Sequence, residues 1–457
     1  MARQMIVRKS TFVEMTQGEV QQEYRVLAKL GSGSFGTVYR VQHSQSGSIF
    51  AMKTIAKRKI TDMSKLVTEI NVLREADLPQ IITIHKVFED RQNVNLVMGL
   101  CEGGDLLSFI IEKGSLTELE ASQIARQVLL AVRYLHMHNI SHRDIKPENI
   151  MFATAGDLHS LKLIDFGLAK VLAPKSLMKT KVGTLYYVSP DVLKGDYGIE
   201  CDLWSFGVVL YFMLSGAVPF AGHTPSEVYA KVLRGQYTFP SPAWDSISLA
   251  AKDLIASLLL TDPGSRLTAE RALEHPWLSG NVSDSRLNGL LPCLSTFFRC
   301  KKLRKAAHLA IAIYCTEQEI MELKSKFEAL DSDHDGVISK AELQIGLEEF
   351  SPDQLADLVD GLDQDHNGVV NYSEFIAATL DESVYLKEER MLSAFMAFDK
   401  DRSGRITLGE LMEVLGKECN VVDPTYWLNL LRQADVNGDG EIDFLEFIAM
   451  MQASPAL

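Results

Sequence analysis

HRDIKPEN, His142 to Asn149, is the stretch whose reading decides the fold of this 457-residue chain. Its eight residues bring an acid, a base and an amide together: Asp144, Lys146 and Asn149. A single Asp or Lys of this kind is usually a turn residue or a solvated edge, so the flanking segments carry the decision. Upstream, LGSGSFGTVYRV (Leu30 to Val41) places Gly31, Gly33 and Gly36 between two alternating, strand-like runs. Glycines let backbone N–H groups approach a phosphate with no Cβ in the way. Dinucleotide-binding folds use the same G-x-G-x-x-G, but a helix would open after it, whereas Val38, Tyr39 and Val41 continue as strand. Ala51-Met52-Lys53 follows on a second strand, and downstream come Asp165-Phe166-Gly167 and Ser189-Pro190-Asp191.

Five motifs in this order resemble the protein kinase family over roughly residues 24 to 278. The resemblance implies a bilobal α+β fold that binds ATP and Mg2+ and transfers a phosphoryl group, chemistry dominated by positioning and charge stabilisation. It implies that Lys53 holds the α- and β-phosphates, fixed by Glu69 in KLVTEINVL, and that Asp144 receives or orients the substrate hydroxyl proton. Lys146 would neutralise the γ-phosphate, and Asn149 and Asp165 would bind Mg2+. Leu30, Val38, Ala51 and Met151 match the apolar surfaces around adenine, and Met98 matches the residue gating the space behind it. All four charged or amide groups of the chemistry (Lys53, Asp144, Asn149, Asp165) are present, which argues against a catalytically silent relative.

Asp202 matches a buried acid that braces the catalytic loop, and Arg266 the partner of the acid in Ser189-Pro190-Asp191. Relatives carry Glu there, so the shorter Asp191 predicts a looser pair with Arg266; Gly99, where relatives often carry an acid, predicts a softer hinge. Lys146 within HRDIK is a Ser/Thr-kinase feature. Asp105 and Glu148 match positions that grip an Arg three residues before the target, a charge-assisted contact. Ser176 and Thr180 are candidate phosphosites ahead of the Ser189 motif.

Composition sets the frame. Hydrophobic residues make up 46% and charged residues 23%, ordinary for a folded multidomain chain. The net charge of -14 is unevenly placed: residues 317–457 hold 31 acids and 10 bases, against 29 acids and 36 bases before them. Such halves attract unless the acidic one is neutralised, which a divalent cation would do. The cysteines Cys101, Cys201, Cys293, Cys300, Cys315 and Cys419 have no zinc spacing and read as thiols in a reducing compartment. The uncharged run Leu203 to Phe220 has membrane-span length, but its two Gly, two Ser and one Pro favour a buried core helix. Neither end shows a lipidation signal. A cytoplasmic monomer is expected, without a membrane anchor or nucleic-acid partner, and with nuclear or peripheral membrane pools left open.

The acidic part contains a repeat: DSDHDGVISKAE, DQDHNGVVNYSE, DKDRSGRITLGE and DVNGDGEIDFLE begin at Asp331, Asp363, Asp399 and Asp435. Oxygen-bearing side chains stand at positions 1, 3, 5 and 9, Gly at 6 and Glu at 12, a hard-oxygen shell suited to Ca2+. The ligand sets are Asp331, Asp333, Asp335, Ser339 and Glu342; Asp363, Asp365, Asn367, Asn371 and Glu374; Asp399, Asp401, Ser403, Thr407 and Glu410; and Asp435, Asn437, Asp439, Asp443 and Glu446. Position 7 offers a backbone carbonyl, from Val337, Val369, Arg405 and Glu441. Four complete loops (331–342, 363–374, 399–410, 435–446) predict up to four Ca2+, with Ile338, Val370, Ile406 and Ile442 pairing loop one to two and three to four. These are EF-hands resembling calmodulin, an all-α domain of two EF-hand pairs. Apolar helix residues such as Phe327, Phe395, Met412 and Phe447 are core or groove lining.

Between the two parts lies FRCKKLRKAAHLAIAIY, Phe298 to Tyr314, inside a stretch from Ser285 to Thr316 that has no acid. Leu303, Ala307, Ala310 and Tyr314 form one apolar stripe, widened by Ala306, Leu309 and Ile313. A kinase, a basic junction and four EF-hands in this order resemble the calcium-dependent protein kinase family of plants and protists. The division reads as an N-terminal extension (1–23), kinase (24–278), junction (279–316) and calmodulin-like domain (317–457). The resemblance implies a junction that inhibits at low calcium, with Lys301, Lys302, Arg304 and Lys305 mimicking a basic substrate against Asp105 and Glu148, until the EF-hands take it up. Other readings are a nuclear signal or membrane-surface helix in the junction, a calcium-gated scaffold, or a kinase driven by separate calmodulin.

Overall fold

The computed structural model describes residues 7–32, 36–60, 63–165, 182–195, 197–278, 293–294, 296–297, 300–346, 358–416 and 424–453. The amino-terminal lobe is a six-stranded sheet in the order β1-β5-β6-β4-β3-β2. Its strands are β1 (Glu14–Gln17), β2 (Tyr24–Ser32), β3 (Thr37–His43), β4 (Ile49–Ala56), β5 (Ile84–Glu89) and β6 (Asn93–Met98). All neighbours are antiparallel except β1, which pairs parallel to β5 from Glu14↔Lys86 to Gln17↔Glu89. Side chains alternate across a strand, so β4 turns Phe50 and Met52 into an aromatic cluster with Tyr24 and Phe88, and Ala51 and Lys53 to the other face. Gly36 opens β3 against β4: a Cβ there would stand 2.2 Å from the Thr54 carbonyl oxygen.

Helices build the second lobe. Glu118–Met137 starts on a reciprocal cap in which Thr117 Oγ1 accepts from Glu120 N (3.3 Å) and Glu120 Oε2 accepts from Thr117 N (3.0 Å). Cys201–Ser215, inside the long apolar run, is buried along nearly its whole length, with Trp204 stacked on Phe220 at 5.3 Å. It stops at Gly216 in the left-handed region, where a Cβ would meet the Gly114 carbonyl oxygen at 2.2 Å. No described helix is long and apolar enough to cross a membrane.

Two short antiparallel ribbons organise the acidic domain: β9 (Val337–Ile338) with β10 (Val370–Asn371), and β11 (Arg405–Thr407) with β12 (Glu441–Asp443). Ile338 faces Val370 and Ile406 faces Ile442, the pairing the sequence predicts. β7 (Ile150–Phe152) and β8 (Leu161–Leu163) form the remaining ribbon, which flanks the catalytic loop.

The junction helix, Lys302–Tyr314, lies inside the calcium-loop domain against helices Tyr372–Thr379 and Glu388–Phe398. The expected single stripe is corrected here: Leu303 through Ile313 are all buried, Arg304, Lys305, His308, Ile311 and Ala312 included. The reason is that both EF-hand pairs close on the helix, so no face is left to solvent; its neighbours include Phe375, Met391, Phe395, Phe447 and Met450. Burying Leu303, Leu309, Ile311 and Ile313 contributes about 1.5–3 kcal/mol each. Tyr314 at its end stacks on His85 of β5 (5.6 Å), joining this core to the kinase sheet.

Further contacts seat the calcium domain on the kinase. Lys162 on β8 pairs with Glu317 (2.5 Å), Lys324 donates to the His159 carbonyl oxygen (2.6 Å), and Gln80 donates to Glu328 (2.6 Å). Arg126 meets His334 and Arg133 meets the Asp333 carbonyl, both in loop one. Cys101, Cys201, Cys293, Cys300 and Cys315 are free thiols, and Cys419 lies outside the described residues.

Candidate active site and calcium loops

The catalytic stretch is held from behind by Asp202, which is fully buried. Its carboxylate accepts from the backbone N–H of His142 (2.8 Å) and Arg143 (2.7 Å), from Ser141 Oγ (3.1 Å), and pairs with His136 Nε2 (2.9 Å). Burial opposes its charge, yet the bonds from His136 and the loop amides keep its carboxyl below the usual range. His142 accepts from Asp144 N (3.3 Å) on Nδ1, so its Nε2–H donates to the Ile164 carbonyl oxygen (3.0 Å). Arg143 and Asp165 both adopt left-handed backbone (φ 67° and 60°), strain of about 1 kcal/mol or more each that the surrounding bonds sustain.

In front of this brace the predicted groups converge. Asp144 Oδ2 accepts from Lys146 Nζ (2.6 Å) and Asn149 Nδ2 (2.8 Å), and Lys53 Nζ donates to Asp165 Oδ1 (2.5 Å). Lys53 is nearly fully buried and lies opposite Val38, while Ala51 lies opposite Met98. Met151 sits on β7, and Leu30 is half exposed at the mouth. A cation from the sheet, two acids and an amide around one opening are the donor set a metal-bound polyphosphate needs, so the residues fit ATP and Mg2+. Glu69 lies on helix Met63–Glu75, but its side chain is outside the described residues, as are Gly33, Ser176 and Thr180.

Asp105 caps helix Leu106–Lys113, accepting from Ser108 N at 2.7 Å, and Glu148 is exposed. Arg304 and Lys305 are elsewhere. Arg304 donates to the Ala453 carbonyl and to Tyr385 Oη (3.4 Å), and Lys305 donates to the Gly361 carbonyl oxygen (2.7 Å). Lys302 lies over the Tyr426 ring, and Lys301 is the exposed N-cap of the junction helix. Lys302, Arg304 and Lys305 therefore sit with the EF-hands in this arrangement. The Asp191–Arg266 pair forms at 2.7 Å and is buried, with Arg266 fixed by the Leu260 and Glu200 carbonyls, but it uses one carboxylate oxygen, and Asp191 Oδ2 is buried without a hydrogen-bond partner.

Each calcium loop gathers its carboxylates: Asp331, Asp333 and Glu342; Asp363, Asp365 and Glu374; Asp399, Asp401 and Glu410; and Asp435, Asp439 and Glu446, with ligand atoms within 4.8 Å of one another. The first Asp of each loop accepts from the Gly N–H at position 6: Gly336 (3.0 Å), Gly368 (2.8 Å), Gly404 (2.9 Å) and Gly440 (3.1 Å). Glu342 accepts from Ser332 N and Ser339 N, and Glu374, Glu410 and Glu446 repeat that grip. Position 4 is left-handed in every loop, at His334, His366, Arg402 and Gly438, a constraint the sequence pattern does not announce. Asp331 Oδ1 is buried without a partner; burial first, then Asp335, Glu342 and Asp333, push its carboxyl up to about 7. Crowded, buried acids with an orphaned oxygen fit a divalent cation.

His136 and Ser141 as supports of Asp202 escaped the sequence reading, because neither belongs to a spaced motif. So did loop one's contact with Arg126 and Arg133, which lie on a kinase helix with nothing in their spacing to mark it.

Comparison with known proteins agrees with this geometry. A protein kinase domain model matches residues 24–278, and an EF-hand domain pair model matches residues 320–380 and 388–452. Calcium-dependent protein kinase 7 of Oryza sativa subsp. japonica is 39% identical over 447 residues, 95% of this chain and 82% of that one. Calcium-dependent protein kinase 3 of Plasmodium berghei is 37% identical, covering 96% and 82%, and calcium-dependent protein kinase 17 of Arabidopsis thaliana is 38% identical, covering 95% and 84%. Among solved structures, Rad53 1–466 in complex with AMP-PNP superposes with a TM-score of 0.51 at 37% identity, covering 57% of this chain and 66% of that one. With the catalytic groups converging on one cleft and four carboxylate loops on the same chain, the protein belongs to the calcium-dependent protein kinase family and is a calcium-activated Ser/Thr protein kinase.

Proposed function

We propose that this kinase transfers the ATP γ-phosphate to Ser or Thr of substrates with a basic residue N-terminal to the target, and that its junction inhibits it at low calcium. One observation carries the regulatory part: the junction helix is enclosed by the EF-hands, with Arg304 and Lys305 bonded to carbonyls there, while Glu148 stands exposed. Arg304 and Lys305 bond groups other than Asp105 and Glu148, which supports the reading. Moving such a switch from 1:99 to 99:1 takes about 5.5 kcal/mol, which four Ca2+ each favouring one arrangement about tenfold supply.

In the cleft, Asp144 orients the substrate hydroxyl and takes its proton, with Lys146 and Asn149 holding the carboxylate in place. Lys53 and Asp165 would mark where the phosphates sit, and Asn149 and Asp165 would hold Mg2+. Bound ATP supplies the phosphoryl group. The four loops take up to four Ca2+, and residues 279–316 act as the junction of a cytoplasmic monomer.

Phosphorylation of a basic Ser/Thr peptide in Ca2+ and in chelator, without added calmodulin, tests the reading. Calcium should raise the rate, and Asp105→Ala with Glu148→Ala should weaken only peptides carrying the upstream Arg. Equal loss on peptides lacking that Arg would refute the specificity, and a requirement for calmodulin would refute internal sensing.

A further inference from the structure

Residues Val7 to Gln17 precede the kinase motifs, yet they touch both halves of the molecule. On the calcium side, Val7 and Phe12 are buried in the core that encloses the junction helix, and the Phe12 ring meets Phe398 edge-on at 5.6 Å. Val7 N donates to the Gln364 carbonyl oxygen (3.1 Å), and Arg8 Nε lies 3.3 Å from Asp365 Oδ2. Gln364 and Asp365 both belong to calcium loop two.

On the kinase side, Val13 is buried in the main core and β1 adds to the sheet edge beside β5. Arg74, in the last turn of helix Met63–Glu75, donates Nε to the Val13 carbonyl oxygen (2.6 Å) and Nη2 to the Ser10 carbonyl oxygen (3.2 Å). Lys9 Nζ donates to the Ala76 carbonyl oxygen (2.6 Å), one residue past that helix, where a cation is favoured by the helix dipole. It also faces Asp77 at 3.9 Å. Asp77 Oδ2 accepts from Ser373 N (3.1 Å) and Ser373 Oγ (2.5 Å), in the first turn of the helix that closes loop two. One end of the segment thus rests on a calcium loop and the other on the helix that carries Glu69.

We propose that residues 7–17 are a strap through which calcium at loop two sets the position of helix Met63–Glu75, with Arg74 as a positioning residue for phosphoryl transfer. The position of this helix determines whether its acid can pair with the strand lysine, a condition of kinase activity. The apolar anchors Val7 and Phe12 need the closed EF-hand core, so the strap is seated when that core forms and its pull reaches Arg74 through two backbone carbonyls. The proposal rests on the reading of the chain as a calcium-activated kinase.

Full-length wild-type, Phe12→Ala, Arg74→Ala and Arg74→Lys proteins, compared by hydrogen–deuterium exchange and by steady-state kinetics, test it. Calcium should slow exchange of residues 63–75 in the wild type, and Phe12→Ala and Arg74→Ala should remove that slowing while residues 118–137 stay protected. At saturating calcium, Arg74→Ala should lower kcat about tenfold with peptide KM within about twofold, and Arg74→Lys should recover part of it by donating to Val13. Equal calcium-dependent slowing in all four proteins overturns the strap, as does an Arg74→Ala loss that is the same with and without calcium. If exchange responds as described while no Ser/Thr peptide is phosphorylated, the strap stands and the kinase reading falls.

Discussion

Calcium loops two and four satisfy the same twelve-residue pattern but are wired differently. In loop two Asp363, Asp365 and Glu374 are all buried, and the loop touches Val7, Arg8 and the kinase residue Asp77. In loop four Asp439 is exposed, and the described partners of Asp439 and Glu441 across the ribbon come from Arg405 of loop three. Both loops gather three carboxylates within ligand distance of one another. Of these two, loop two is the one that touches the catalytic half, as loop one does through Arg126 and Arg133 and loop three through Arg402 and Glu23, so a complete ligand set and a contact with the kinase are separate properties here.

The sharpest way to break this contrast is to remove the closing glutamate from each loop. Glu374→Gln should lower the calcium-stimulated rate by roughly a hundredfold, and Glu446→Gln should mainly raise the calcium needed for half-activation by about tenfold. Rates measured over a calcium titration check it, and equal effects would mean the loops are equivalent.

A second test uses the helix that both EF-hand pairs enclose. Burial, with Arg304 beside it, pushes the His308 imidazole down to about 3, while a released helix would leave it near 6.5. The enclosed state therefore binds fewer protons: its contribution is complete above about pH 6.5 and fades as pH falls toward 3. Enclosure should weaken by about 1 kcal/mol, roughly fivefold, from pH 6.5 to 5.5. His308→Leu should remove that part of the pH dependence of half-activation, and an unchanged slope would refute it.

Smaller still is the cap that Asp77 places on the loop-two helix. Asp77→Ala removes an acceptor worth about 1 kcal/mol, which should raise the half-activating calcium about fivefold while leaving chelator-state activity unchanged. Least of all should matter Arg405→Ala. Its contacts with Asp439 and Glu441 are exposed, so calcium affinity of the second EF-hand pair, read by calorimetry, should change less than about twofold.

The calcium loops and catalytic loop were legible because their contacts are short in sequence: a carboxylate bonds an amide five residues on, and Asp144 bonds Asn149. The ribbon pairing of Ile338 with Val370 was legible for a related reason, since position 8 repeats with the loop. The Asp191–Arg266 pair was legible as a contact, but the Leu260 and Glu200 carbonyls that hold Arg266 belong to no local pattern. The junction helix was read as amphipathic because a stripe needs one apolar face, whereas its enclosure uses every face and accepts Arg304 and Lys305 through carbonyl groups.

By itself, then, the sequence determined the family and the local clusters: the catalytic-loop groups and the four carboxylate loops, since each is written in a fixed spacing of side chains. Only the tertiary structure decided which contacts join the calcium loops to the kinase. Arg74 and Val13 are 61 residues apart, Gln80 and Glu328 are 248, and Asp77 and Ser373 are 296. Ordinary residues meeting over such separations carry no spacing signal, and their partners are chosen by packing of the two cores.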